Sequence, residues 1–102
     1  MKWYQYIACA FAGAFLANAV PHFVKGMCGD RFPSPFAKPP GKGLSSPRIN
    51  VMWALFNIVV GYLLAREGNV WGGGDAALIV FFLGAAAISI QLSGHFAGKD
   101  QD

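Results

Sequence analysis

The sequence predicts an all-α integral membrane protein with three transmembrane helices, at about residues 3–22, 47–66 and 75–96. Three observations carry that expectation. Of the 102 residues, 55% are hydrophobic and only 13% are charged, about half the charged share of a soluble domain. The apolar residues gather into three runs of membrane-spanning length. None of the runs has enough charge to supply the polar outer face that a helix in a soluble bundle needs. The length fits one domain, residues 1–102, interrupted by a Pro/Gly-rich basic loop at 25–46.

The first run is Trp3 to Val20, "WYQYIACAFAGAFLANAV". Its length corresponds to roughly 27 Å of helix, close to the hydrocarbon thickness. Pro21 lacks an N–H, so the helix is expected to kink or end about there. A cleavable leader would show the same Lys2, apolar core and Ala17-Asn18-Ala19; the run is read instead as a retained span. The second run is Pro47 to Arg66, with Ser46 placed to cap it and Pro47 at the first helical position. The third is Asp75 to Phe96, with Asp75 as the expected N-cap after a glycine-rich turn. Cys9 sits in an apolar run and Cys28 in the loop, at different depths, and their spacing fits no metal motif.

Charge predicts orientation. With three spans, the 25–47 loop shares a side with the C-terminus. That side holds Lys25, Arg31, Lys38, Lys42, Arg48 and Lys99, whereas the other holds Lys2 and Arg66. The positive-inside rule makes the loop and C-terminus cytoplasmic and the N-terminus external, in a bacterial inner membrane. Trp3, Tyr4 and Trp71 then form an outer aromatic belt. The net charge is only +3, too little to indicate nucleic acid. The 25–48 segment suits anionic lipid headgroups instead. Its "FPSPF" and "KPPGKG" favour an extended, polyproline-like docking strip.

The helix faces carry the candidate interaction residues. On the first run Phe11, Phe15, Asn18 and His22 make one stripe, and Cys9, Gly13 and Ala17 another. On the second, Asn50, Ala54, Asn57, Gly61 and Leu64 share a face; on the third, Gly84, Ala87, Gln91 and Gly94 do. Small residues let membrane helices approach closely, and amides bond between them. These stripes are expected to exceed what three helices alone would bury, leaving some for a partner. His22 and His95 are expected at the same membrane level. They offer an alternative reading as a haem or metal clamp in a small redox protein. No neighbouring ligand set completes such a site except Asp30, so no cofactor is expected.

Other chemistries are disfavoured. The membrane cores hold no acidic residue, which argues against a proton-coupled pump or small drug exporter. "GKGLSS" lacks the phosphate-loop spacing and a preceding strand. Ser45 and Ser46 have no His–Asp context, and no nucleophile–base pair stands out.

The stretch "PHFVKGMCGDRFPSPFAKPPGKGLSSPRINVMWALFN" resembles a set of small bacterial integral membrane proteins. The shared features are His-Phe, Phe-Pro-x-Pro-Phe, Pro-Pro-Gly-x-Gly and Ser-Ser-Pro-x-x-Asn. That resemblance implies membrane integration and names no activity. In size and three-span layout the chain is also similar to the protein W-type accessory polypeptides of purple-bacterial reaction-centre and light-harvesting core complexes. Such a polypeptide sits at a break in the antenna ring and keeps a quinone passage open. The expectation is thus a non-catalytic accessory subunit of a larger energy-transducing membrane complex, not an enzyme.

Overall fold

The structure is a computed structural model and describes residues 1–99. Three helices dominate it: α1 Trp3–Met27, α2 Pro47–Glu67 and α3 Gly74–Ala97. Between α1 and α2, two short strands pair antiparallel, β1 Phe32–Pro33 and β2 Leu44–Ser45, with Phe32 opposite Ser45. All three helices are long and apolar enough to cross a membrane. The longest dimension is 46 Å, matching a bilayer of about 40–45 Å including headgroups. The chain is a multi-pass membrane protein.

The first helix is the centre of the fold. It packs along both α2 and α3, which scarcely meet each other. Glycines set these close approaches, because a methyl group would not fit. A Cβ on Gly13 would collide with the Phe81 carbonyl, and one on Gly84 with the Ala10 carbonyl. A Cβ on Gly61 would lie 2.6 Å from Leu16 Cγ, and one on Gly26 would lie 2.7 Å from the Pro47 oxygen. Close backbone approach recovers dispersion contacts, which drive association where lipid is as apolar as any side chain. At the end bearing the short turn, Cys9, Ala12, Ala65, Val70 and Ala77 form a buried cluster. The Cys9 thiol donates to the Gly68 carbonyl at 3.2 Å, and Cys28 is exposed.

Three expectations need correction. First, α1 does not stop at Pro21 but continues to Met27. A membrane helix tolerates the missing N–H when neighbours hold the segment. Here His22 bonds to α2 and Gly26 lies against the start of that helix. Second, α3 begins one residue earlier, on a Gly73 cap, so Asp75 lies in its first turn. Ser46 does cap α2, accepting from the Ile49 N–H at 3.2 Å. Third, the loop is not an extended strip. It folds into a compact cap of turns in which Phe32, Ser34, Ala37 and Ser45 are buried. The Ser34 carbonyl accepts from the N–H groups of Ala37 and Gly41, and the Pro39 carbonyl from those of Lys42 and Gly43. Gly41 has φ +75°, a left-handed conformation suited to glycine.

Candidate functional site: a polar cleft between α2 and α3

Because α2 and α3 both pack on α1 but stand apart, a cleft opens between them. Its floor is the stripe Phe11, Phe15, Asn18 and His22 of α1. Toward mid-membrane it is a hollow of about 360 Å³ lined by Phe11, Phe15, Asn18, Trp53, Asn57 and Ile88. Under the folded loop it narrows to about 170 Å³, lined among others by Asn18, His22, Ser34, Trp53, His95 and Phe96. Asn18 and Trp53 belong to both parts.

Two amide–polar pairs tie α1 to α2 along this floor. Asn50 is fully buried. Its Nδ2 faces three carbonyl oxygens, those of Phe32 at 2.9 Å, Ser46 at 3.1 Å and Ser45 at 3.3 Å. That environment identifies the nitrogen end of the amide. Oδ1 therefore faces His22 Nδ1, 2.7 Å away, and His22 must carry its proton on Nδ1 to donate. The Nε2 of a neutral His22 is then a bare acceptor on the cleft side. Likewise, Asn57 donates Nδ2–H to the Trp53 carbonyl at 2.8 Å and accepts from Asn18 Nδ2 at 3.0 Å. Asn18 Oδ1 is left without a partner among the described residues.

The loop end is closed by aromatic rings. Phe96 of α3 packs against Phe32 with centroids 4.6 Å apart and the rings tilted by 57°, and it meets the His22 ring edge-on at 5.9 Å. His95 donates from Nε2 to the Gly41 carbonyl at 2.7 Å. The two histidines thus line one hollow, but each has committed one nitrogen to the protein. Among the described residues, no group of three or more His, Cys, Asp or Glu converges to hold a metal ion.

The remaining sequence candidates divide between inside and outside. Gly13, Gly61 and Gly84 face the chain's own helices, so these three glycines are used within the bundle. Ala17 lies with Pro21 in a shallow hollow against Ser89, Leu92 and Ser93. Gln91 is exposed, and Gly94 has open space around it. Sequence reasoning missed Ser34, Trp53 and Phe96. For Trp53 a signal existed: it lies three residues after Asn50 and four before Asn57, on the amide face of α2.

The fold and cleft define a three-span membrane protein with a polar, loop-capped cavity. No family model, curated protein or solved structure matches the chain.

Proposed function

We propose that the chain is a non-catalytic accessory subunit that packs against a larger energy-transducing membrane complex. The observation that carries this reading is Gln91. It lies six residues before the end of α3 at Ala97, about 9 Å along the axis and so inside the hydrocarbon zone. Its exposed side chain makes no hydrogen bond among the described residues. It borders a groove of about 230 Å³ whose other walls include Ala10, Phe11, Ala14 and Ala87. An amide facing lipid is unfavourable, whereas one bonded to a second helix contributes about 1–2 kcal/mol. The small alanines leave room for that helix to come close.

Gln91→Leu is expected to weaken association with the complex about tenfold while leaving the fold intact. Mild extraction of tagged wild-type and variant chains, with quantitative mass spectrometry of the co-purifying subunits, measures this. Equal recovery would refute the role of Gln91, and recovery of a free, catalytically active chain would refute the accessory reading.

The narrower proposal rests on the resemblance to protein W-type polypeptides. It places the chain in a reaction-centre core complex, where it interrupts the antenna ring and keeps quinone exchange open. Deletion should then alter ring closure and slow quinone exchange without removing a pigment ligand. The charge distribution supports a bacterial inner-membrane orientation with a cytoplasmic loop and an external N-terminus. Reporters fused after the C-terminus and into the 67–74 turn should label opposite sides. Labelling on one side would refute this topology.

A further inference from the structure

We infer that the loop-capped end of the cleft is a binding site for a hydroxyl-bearing amphiphile, an alcohol or phenol headgroup on an apolar body. Three residues that line it each carry an unused polar valence. The first is the Trp53 indole N–H, which is shielded from solvent and has no acceptor among the described residues. The second is His22 Nε2, left as a lone-pair acceptor because Asn50 takes the proton on Nδ1. The third is Asn18 Oδ1, left over because Nδ2 is the end that bonds Asn57. All three residues line the same 170 Å³ hollow. A buried donor without a partner is costly, and more so at membrane depth, where no bulk water can serve it.

This combination selects among headgroups. One donor beside two acceptors matches a group that both accepts and donates. A hydroxyl does so with a single atom: its oxygen accepts from Trp53 Nε1–H, and its O–H reaches His22 Nε2 or Asn18 Oδ1. A phospholipid ester carbonyl could satisfy only the indole. A cation would meet the indole donor unfavourably. The route of entry suits an apolar body. The hollow continues into the larger, mid-membrane part of the cleft, whose walls are Phe11, Ala14, Phe15 and Ile88 apart from its Asn and Trp side chains. A tail would lie there while the headgroup lodges under Ser34 and Phe96. Trp53 is part of the wall, so the indole meets the hydroxyl as that wall relaxes around it. The headgroup hollow shares no lining residue with the Gln91 groove, which adjoins only the mid-membrane part of the cleft, at Phe11, Ala14 and Ile88; headgroup recognition therefore does not depend on the accessory role.

The test uses the full chain in nanodiscs with ¹⁵N-labelled indoles. The chain has Trp 3 times, and Trp53→Phe identifies the Trp53 resonance. Dodecylphenol is titrated against its methyl ether, which keeps the acceptor and loses the donor. The expected result is a saturable downfield shift of the Trp53 indole proton, with Trp3 and Trp71 unmoved. The ether should bind about tenfold more weakly, having lost one hydrogen bond. By calorimetry, Trp53→Phe should weaken the phenol by a similar factor. That variant should fold, since the indole N–H gives up no bond in the protein and phenylalanine keeps an aromatic ring beside Phe36 and Phe56. Equal affinity for phenol and ether would overturn the proposal. So would a non-saturable shift of all three indoles, or a Trp53 resonance already hydrogen-bonded to trapped water and unmoved by the phenol. The ether comparison stands on the wild-type chain even if the variant fails to fold.

Discussion

Replacing Asn50 with leucine is expected to release the loop from the helices and cost about 3 kcal/mol of stability. Leucine keeps the branching and number of heavy atoms, so the main loss is polar, with some overpacking from its bulkier methyls added. It strands the His22 Nδ1–H, which now points at the amide oxygen 2.7 Å away. It also takes the side-chain donor from the Phe32 and Ser45 carbonyls. The Ser46 carbonyl fares better, since the Asn50 backbone N–H still reaches it at 3.1 Å. His22→Leu removes one bond of the set and should cost about 1–2 kcal/mol. Unfolding in mixed micelles measures both. Trypsin gives the local readout: cleavage after Arg31 and Lys42 should accelerate in Asn50→Leu much more than in His22→Leu. Unchanged cleavage would mean that the cap holds without Asn50.

Gly84→Ala and Gly13→Ala are expected to push α3 away from α1, at about 2–3 kcal/mol each. In both, the added methyl meets backbone, which cannot swing aside. At Gly84 it collides with the Ala10 carbonyl and lies 2.9 Å from Ala10 Cα; at Gly13 it lies 2.9 Å from the Ala85 nitrogen. Gly61→Ala should be milder, because its nearest neighbour is the Leu16 side chain at 2.6 Å, which can change rotamer. The order Gly84 ≈ Gly13 > Gly61 distinguishes backbone contact from a general intolerance of larger residues. Trypsin protection of the loop should persist partly in the Gly13 and Gly84 variants, since Asn50 and its partners lie on α1, α2 and the loop. Equal destabilisation by all three would contradict the geometry.

How much was legible before the structure differs by element. Hydropathy and length located all three spans, because a bilayer imposes those two properties on any crossing helix. Ser46 and Pro47 marked the start of α2 by local chemistry alone. The end of α1 was not legible, since Pro21 is locally a stop and only contacts with α2 carry the helix to Met27. The loop was misread for a related reason. Prolines describe the chain's stiffness, but its path is decided by Ser34, Ser45 and Asn50, residues that meet only after folding. The stripe through Phe11, Phe15, Asn18 and His22 was visible as a helical period. Its use as a cleft floor was not, because that depends on α2 and α3 standing apart. Small-residue spacing showed that close packing occurs but could not say against which helix.

The central place of α1 has a consequence for biogenesis. The helix precedes α2 and α3 in the chain, so it leaves the ribosome and enters the bilayer before either neighbour exists. During that interval Asn18 and His22 have no protein partner, because theirs are Asn57 and Asn50 on α2. The arrival of the second span therefore gives Asn18 and His22 their first partners, and the pair becomes the earliest unit with interhelical bonds. The third span has no side-chain bond to α1 waiting for it; it meets a surface already shaped by Gly13 and Ala10. Insertion order and the order of chemical satisfaction coincide, so a translational pause after the first span would prolong the chain's most vulnerable moment, and one after the second would not.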